Sequence, residues 1–459
     1  MALLAGFAQT DITPPLSVPY LSFYPRQTPF EGIHDRLKAR AAVFDIGQTA
    51  AAVVALDALG LSRTLLGPDR DLIEEVRVRI HERCGLRPQA ILVSTTHAHS
   101  TPQTTDIHDL VGEFPGAAAY LEALLTQVVA TVEQAWARRE PMTWRCAEGR
   151  APGIAWNRRT LLRSGGMADG RTRPDDDAEV LREPRDEAVP LLYAFGERGA
   201  GAISGYCCHP SVVQVQPLVS ADYPGVACGL AESALGLDAC LFLQGACGDV
   251  GAVRRTTGFH DVAVYGRTLG GEIVRQLALL DVREGVSRPP VRDMSPSIGA
   301  ARATLQLPRR DLPTDPDLHA RRDATRAAIA AAPEADRAPL IGEFRRLHEL
   351  CRLIDLGRGP VAVEVQALRL GEVLIIAVEG ELFCQYGLDL KAASPAEVTF
   401  VSAYSNGYQG YLMVDEAWAE GGYEPDLGPW TRVGPGGTNA IAAAATELAS
   451  HVWQTGEAS

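Results

Sequence analysis

The sequence predicts an α/β fold with a largely buried sheet, and two features of the residue pattern indicate it. The first is a series of short apolar runs rich in β-branched residues, which are typical of buried strands. They occupy residues 41–46, 51–57, 90–96, 202–208, 238–244, 361–369, 372–379 and 397–403. The second is a set of longer segments whose apolar residues recur with helical spacing, at 68–84, 116–139, 261–280 and 436–454. Strands and helices that alternate along a chain favour an α/β fold.

The composition is that of a globular protein, which we expect to form one large domain over residues 1–459. Hydrophobic residues make up 46% of the chain and charged residues 22%, which excludes collagen-like and wholly disordered proteins. The net charge of -14 argues against a nucleic-acid binder, which needs a basic face. No segment approaches the roughly 18 to 20 consecutive apolar residues of a membrane span. We therefore predict neither nucleic-acid binding nor stable membrane insertion.

The cysteines and the N-terminus predict a cytoplasmic protein. The nine cysteines are odd in number and irregularly spaced, which favours reduced thiols over a disulfide framework. The opening residues MALLAGFAQTDITPP have no basic region and no long apolar core, so they are interpreted as part of the fold and not as a signal peptide.

Two segments stand apart from the strands and helices. Residues 164–188 are rich in Gly, Asp and Arg and are predicted to form a mobile surface loop. Residues 313–357 are rich in Arg, Ala and Glu with helical spacing, and they predict a helical hairpin inserted at the surface. Pro313 marks its start and Pro333 its bend. No internal repeat is found in the sequence.

The strongest local motif is THAHSTP, which follows directly on the strand predicted at 90–96. Side chains at positions i and i+2 of an extended segment share one face, so His97 and His99 are expected to point the same way. They would lie at a strand end, where the active sites of α/β proteins are found. Two imidazoles suit Zn²⁺. Two loop histidines bonded to backbone would explain the motif equally well.

Three further strand ends carry polar groups. His209 lies in GYCCHP, Asp249 lies in a Gly-rich turn, and Glu379 and Glu381 follow the strand at 372–379. Each also has a structural explanation, since a lone histidine is usually structural and a strand-end carboxylate is often a helix cap or an ion-pair partner. A final segment is dense in tyrosine, which can pack in a core, bind zinc or donate to an oxyanion: Tyr404, Tyr408, Tyr411 and Tyr423. Together these groups suggest a metal site assembled from distant segments.

The order of these motifs resembles the neutral (non-lysosomal) ceramidase family, in its catalytic domain. The motifs are GFAQTDITPP, GIHDRLKARAAVF, THAHSTP, AWNRRT, CHP, GACGDVG, EGE and SNGYQGY, and the resemblance ends near Tyr423 and Glu424. It implies an α/β fold with a mixed β-sheet core flanked by helices. We expect no counterpart of the family's Ig-like C-terminal domain, because the sequence ends soon after the helix predicted at 436–454. The serine that the family carries after its Gly-Asp-Val turn is replaced by Gly251.

The resemblance also implies a site. In the family a zinc ion is held by two histidines, a glutamate and a tyrosine, which match His97, His209, Glu381 and Tyr411. Three further positions match residues that contact the substrate, orient the amide or stabilise charge on its oxygen: His99, Arg158 and Tyr423. Asp57 and Asp249 are candidates for orienting a ligating imidazole.

These residues predict a zinc-dependent hydrolase that cleaves the amide bond of an N-acylated small molecule other than ceramide. Metal-activated water would attack, since Gly251 offers no serine nucleophile. Three alternatives remain: a zinc esterase or lactonase that uses the same site, a non-catalytic ligand-binding member of the family, and an amidohydrolase barrel, whose motif order fits poorly. The partner is predicted to be a small-molecule amide or ester, and the oligomeric state is left open.

Overall fold

The computed structural model describes residues 3–18, 29–108, 116–159, 184–253, 256–281 and 292–455. The loop predicted at 164–188 lies outside the described residues except for its last five positions.

Within the described part of the chain, three sheets of four or five strands form the core. The first contains β1 (Leu4–Asp11), β3 (Lys38–Asp45), β4 (Ala50–Leu56), β5 (Ile91–Thr95) and β6 (Glu140–Pro141), in the order β5-β4-β3-β1-β6. The second contains β7 (Thr143–Arg150), β9 (Ala188–Phe195), β10 (Ala200–Tyr206) and β12 (Ala239–Gln244), in the order β12-β10-β9-β7. The third contains β14 (Ile298–Leu307), β15 (Val361–Leu370), β16 (Val373–Val378) and β18 (Val398–Ser402), in chain order.

Short strands pair outside these sheets. They are β2 (Gly32–Ile33) with β11 (Leu218–Val219), β8 (Ala155–Asn157) with β13 (Val250–Ala252), and β17 (Glu381–Leu382) with β19 (Tyr411–Leu412). The helices of the described residues are α1 (Leu72–Cys84), α2 (Gly116–Ala137), α3 (Asp222–Leu235), α4 (Phe259–Leu280), α5 (Leu318–Ala331), α6 (Arg337–Asp355), α7 (Cys384–Ala393), α8 (Glu416–Glu420) and α9 (Gly437–Thr455). Among them, none combines the length and the apolarity that crossing a bilayer requires. The predicted α/β fold with mixed sheets is confirmed.

The three sheets share one plan. In each, three successive strands pair antiparallel, a helix follows, and a fourth strand pairs parallel with the third. The helix between the third and fourth strands is α1 in the first sheet, α3 in the second and α7 in the third. This repeat lies in strand order and direction and not in residue identity, which is why the sequence shows no trace of it.

The inner faces of the three sheets bury one common apolar cluster. Phe7 and Phe44 of the first sheet meet edge to face at 5.9 Å, and Phe44 meets Trp144 of the second sheet at 5.0 Å. Phe400 of the third sheet belongs to the same cluster. Full burial of each such side chain contributes about 1.5–3 kcal/mol relative to exposure. Helices cover the outer faces, α1 and α2 on the first sheet and α3, α4, α7 and α9 on the other two.

Helix boundaries follow local chemistry. The segment predicted at 68–84 becomes helical only at Leu72, because the Asp71 side chain accepts from the backbone N–H groups of Ile73 and Glu74 and so caps the first turn. Gly85 ends the helix in the left-handed conformation, with its N–H bonded to the carbonyl of His81.

Residues 313–357, predicted as an inserted helical hairpin, contain α5 and α6, which lie between β14 and β15 in the chain. Leu318, Leu347 and Cys351 form a small apolar cluster between the two helices. Arg352 of α6 donates from Nε to the carbonyl of Asp106 at 2.8 Å. This bond attaches the hairpin to the segment that follows THAHSTP.

Candidate metal centre

The candidate site lies where corresponding strands of the three sheets end. The third strands β4, β10 and β16 end at Leu56, Tyr206 and Val378. Three positions further along each chain segment stand Leu59, His209 and Glu381. The fourth strands β5, β12 and β18 end nearby because each pairs parallel with the third, and they are followed by His97, Cys247 and Tyr404. Strand direction, repeated in three sheets, therefore brings distant segments together.

Three imidazoles converge at this point. The Nε2 atoms of His97 and His209 are 3.1 Å apart, and those of His97 and His99 are 3.2 Å apart. One nitrogen from each ring lies within 4.8 Å of the other two, so the three could hold a metal ion. His97 and His209 are buried, whereas His99 is half-buried. His97 adopts a left-handed φ of 62°, which is uncommon for a residue with a side chain.

Backbone carbonyls set the protonation of two of these rings. The Nδ1 atom of His97 lies 2.6 Å from the carbonyl oxygen of Leu59, and that of His209 lies 2.7 Å from the carbonyl oxygen of Cys247. Because a carbonyl oxygen only accepts, each Nδ1 carries a hydrogen, and Nε2 is the nitrogen that offers a lone pair when the ring is neutral. Burial, helped by the charge of Arg158, lowers the pKa of His209 to about 4, so this ring is neutral at pH 7.

The arrangement fits a metal ion. Two Nε2 atoms that face each other at 3.1 Å need a proton or a metal cation between them, because two facing lone pairs repel. Zn–N bonds of 2.0–2.1 Å in a tetrahedral site place two ligating nitrogens about 3.3 Å apart. The observed separation is close to that value. Metal-bound histidines are commonly oriented through their other ring nitrogen, as His97 and His209 are here.

Glu381 completes the buried side of the site. Its Oε2 atom lies 3.4 Å from His97 Nε2 and 3.3 Å from His209 Nε2. Burial acts to raise the pKa of Glu381, but positive charge on the adjacent imidazoles outweighs burial and holds the pKa well below its usual range. An ionised carboxylate beside two imidazole lone pairs is a donor set that suits Zn²⁺.

Tyr411 and Arg158 lie next to Glu381. Tyr411 is opposite Glu381 in the β17–β19 pair. Its hydroxyl oxygen accepts a hydrogen bond from Arg158 Nη2 at 2.9 Å. Arg158 also donates to the carbonyl of Gly248 at 2.6 Å and, from Nε, to Glu424 at 3.0 Å. The guanidinium is therefore held in place by three partners.

Tyr423 lies at the outer edge of the site and is 51% exposed. Its ring meets that of Tyr411 edge to face at 6.0 Å and stacks on Trp430 at 5.0 Å. The solvent exposure of the predicted residues therefore increases from the buried His97, His209 and Glu381 to Tyr423.

Comparison with known proteins gives a fold. No family model matches the chain, and no curated protein does. Two solved structures each align with 99% of this chain. The neutral ceramidase of Pseudomonas aeruginosa aligns at a TM-score of 0.71 and 18% identity, and the alignment covers 75% of that chain. A ceramidase complexed with C2 matches at a TM-score of 0.70 and 16% identity, with 76% of that chain covered. The chain has the neutral ceramidase fold. The resemblance read from the motifs is confirmed at this level.

On this fold, two carboxylates that were expected to orient the imidazoles have other partners. Asp57 is bonded to Arg40 Nη1 at 3.1 Å and to the backbone N–H of Lys38. Asp249 accepts from Asn157 Nδ2 at 2.8 Å and from the backbone N–H of Cys384. The Nδ1 atoms of His97 and His209 are bonded to the backbone carbonyls of Leu59 and Cys247 instead. Asp57 and Asp249 thus bond to the strand ends that carry the site, and a part for them in orienting an imidazole stays a prediction.

The sequence reasoning missed several groups that touch the site in this ceramidase-like fold. The carbonyls of Leu59 and Cys247 leave no signal in residue type. Tyr404 donates to Glu381 Oε2 at 3.3 Å, and Tyr408 donates to Oε1 of the same carboxylate. The density of tyrosines at 402–425 was a signal, but it could not assign a partner to each ring.

Gly251, where the ceramidase family has serine, lies beside His209 in an isolated β-bridge. Among the described residues, a Cβ added at Gly251 would meet only Trp156 Nε1, at 3.9 Å. We expect Gly251→Ser to leave zinc affinity unchanged and the free energy of unfolding unchanged or raised by about 0.4–1 kcal/mol, because serine fits and restricts the unfolded chain. Denaturant unfolding and zinc titration would measure both.

Gly248→Ser is the matched control for this prediction. A Cβ at Gly248 would lie 2.4 Å from the carbonyl oxygen of Glu381, so the turn has to shift. We expect a loss of about 1–3 kcal/mol in the free energy of unfolding and weaker zinc binding. If Gly251→Ser and Gly248→Ser changed the free energy of unfolding and the zinc affinity equally, the open space beside Gly251 would be contradicted.

Proposed function

We propose that this protein is a zinc-dependent hydrolase that cleaves the amide bond of an N-acylated small molecule. The observation that carries the proposal is the convergence of His97 Nε2, His209 Nε2 and Glu381 Oε2, each within 3.4 Å of the other two. The likeness to structures named as ceramidases supports amide cleavage. None of the nine cysteines, all of which lie in the described residues, forms a disulfide bond, which supports a reducing, cytoplasmic setting.

His97, His209, Glu381 and Tyr411 would hold the metal. Zn²⁺ bound there supplies a Lewis acid for the carbonyl oxygen and lowers the pKa of water to about 7. Tyr411 would join the set as its fourth member, since it lies opposite Glu381 in the strand pair. Burial raises the pKa of Tyr411, but the hydrogen bond from Arg158 opposes burial, and together with a bound cation it would favour the phenolate.

The surrounding side chains would act on the amide. Arg158 has a fixed position and a permanent charge, so it would orient the carbonyl and stabilise negative charge that develops on its oxygen. Tyr423 reaches solvent and contacts Tyr411, so its hydroxyl would donate to the substrate from the open side. His99 is half-buried with Nε2 beside His97, and a proton held on its ring would pass to the leaving nitrogen.

Metal content and substrate class test the proposal together. Elemental analysis of the purified protein should find about one zinc per chain. Hydrolysis of amides and esters with the same short acyl group should then show cleavage of the amide. Zinc with cleavage of the ester alone would favour an esterase or lactonase. Zinc with neither activity would favour a ligand-binding protein, for which Gly251 in place of serine is the supporting observation. A protein that takes up no zinc even when it is supplied would contradict the proposal.

His99→Ala separates a proton-transfer role from a ligand role. We expect the variant to keep its zinc and to lose about 10²–10⁴-fold in kcat, the usual contribution of a general acid. Zinc content and steady-state kinetics on the same preparation are the measurements. His451→Ala, on α9, is the control and should change neither. Loss of zinc from His99→Ala would instead make His99 a third imidazole ligand.

A further inference from the structure

Tyr404 follows β18 and is almost fully buried against the candidate metal centre. Its φ is 53°, in the left-handed region that a bulky side chain rarely adopts. Its backbone N–H donates to the carbonyl of Gly380 at 3.0 Å, and its carbonyl accepts from the N–H of Thr95 at 3.2 Å. Backbone bonds therefore join Tyr404 to the segment that carries Glu381 and to the segment that carries His97.

The Tyr404 side chain contacts the same two ligands. Its ring stacks on the imidazole of His97, with centroids 3.9 Å apart and 23° between the planes. Its hydroxyl donates to Oε2 of Glu381 at 3.3 Å. This is the carboxylate oxygen that faces His97 and His209. One residue thus restrains the plane of an imidazole and the position of a carboxylate oxygen.

A hydrogen-bond chain extends this restraint to His209. The Tyr404 hydroxyl donates its only hydrogen to the Glu381 carboxylate, so it accepts from the Cys247 thiol, 3.2 Å away. The Cys247 sulfur in turn accepts from Gln244 Nε2 at 3.0 Å. The carbonyl of Cys247 accepts the Nδ1 hydrogen of His209. Tyr404 is therefore linked to the third ligand through one intervening residue.

We propose that Tyr404 is the positioning residue of the metal centre, and that its hydroxyl and ring together hold His97, His209 and Glu381 in the arrangement that binds the cation. This inference rests on the proposed function, since it concerns the same site. Tyr404 does not need to touch the substrate in this role. Its contribution appears in metal affinity, because partners that orient metal ligands typically contribute 10–100-fold.

Zinc affinity of Tyr404→Phe and Tyr404→Leu tests the inference. The first variant keeps the ring on His97 and loses the bond to Glu381, and the second loses both. We expect the Kd for Zn²⁺, measured by chelator competition on the full chain, to rise about tenfold in Tyr404→Phe and further in Tyr404→Leu. The visible spectrum of Co²⁺-substituted protein should change in both, because Co²⁺ absorption reports ligand geometry directly.

Tyr206→Phe is the matched control. Tyr206 is as buried as Tyr404, and its hydroxyl donates to the carbonyl of Ala151 at 2.6 Å, within the apolar core. We expect it to lower stability without changing the zinc Kd or the Co²⁺ spectrum. Wild-type affinity in Tyr404→Phe, or an equal loss of affinity in Tyr206→Phe, would overturn the inference. Failure of the wild-type chain to bind Zn²⁺ would instead contradict the proposed function, so the two failures are distinguishable.

Discussion

His97→Ala is expected to abolish zinc binding and to reduce amide hydrolysis to background. His97 Nε2 lies 3.1 Å from His209 Nε2, 3.2 Å from His99 Nε2 and 3.4 Å from Glu381 Oε2, so three other groups of the site adjoin it. Its removal leaves three side chains that no longer enclose a cation from all sides. Elemental analysis should fall from about one zinc per chain to a small fraction, and the hydrolysis rate should fall with it.

His319→Ala is the control for that experiment. His319 lies on the exposed hairpin and pairs with Asp355 at 2.8 Å. The proposed site gives it no role. We expect its zinc content and hydrolysis rate to match those of the wild-type chain. Zinc retained at full occupancy in His97→Ala would show that the metal is held elsewhere, and the ligand assignment would then be wrong.

Arg158→Lys is expected to lower kcat by about 10²–10³-fold, equivalent to about 2.7–4 kcal/mol, with zinc content unchanged. The planar guanidinium reaches Tyr411, Gly248 and Glu424 at once, whereas an ammonium is a single point charge on a flexible stem. Lysine keeps the positive charge but loses the fixed orientation of the guanidinium N–H groups. Steady-state kinetics at saturating zinc would measure the effect.

Arg150→Lys provides the comparison. Arg150 is exposed and pairs with Glu187 at 3.2 Å on β7, so the substitution should change kcat less than twofold. If Arg158→Lys were to lose zinc as well as rate, its role would be to hold Tyr411 as a ligand. Wild-type kinetics would remove Arg158 from the proposed site.

The elements that the sequence predicted are those whose pattern is local. Strand β16 is a continuous apolar run, β5 begins with one, and α4 has a regular apolar stripe. Two of the longer elements that it missed contain proline, which usually interrupts regular structure. Strand β9 carries Pro190, and α3 carries Pro224 in its first turn, where the absent N–H is not needed.

The site was predictable as far as residue type and strand-end position carry information. His97 and His209 are 112 positions apart in sequence, and their meeting at 3.1 Å follows from motif order together with the fold. For Asp57, residue type and strand-end position do not reveal the tertiary partner. Asp57 ends a strand at the same edge of the fold, but the buried Arg40 takes its carboxylate, and only tertiary contacts reveal that. The contributions of the Leu59 and Cys247 carbonyls are equally invisible in sequence.

The common plan of the three sheets has a thermodynamic consequence. His97 follows a strand of the first sheet, His209 a strand of the second and Glu381 a strand of the third, so a cation held by all three would bind no sheet alone. Binding is therefore linked to the docking of all three, and a ligand at 100 times its Kd adds about 2.7 kcal/mol to the stability of that docked state. A bound cation would therefore stabilise the packing of the three sheets against one another. Its removal by a chelator would weaken the contacts between sheets before it weakened the strand pairing within any one sheet.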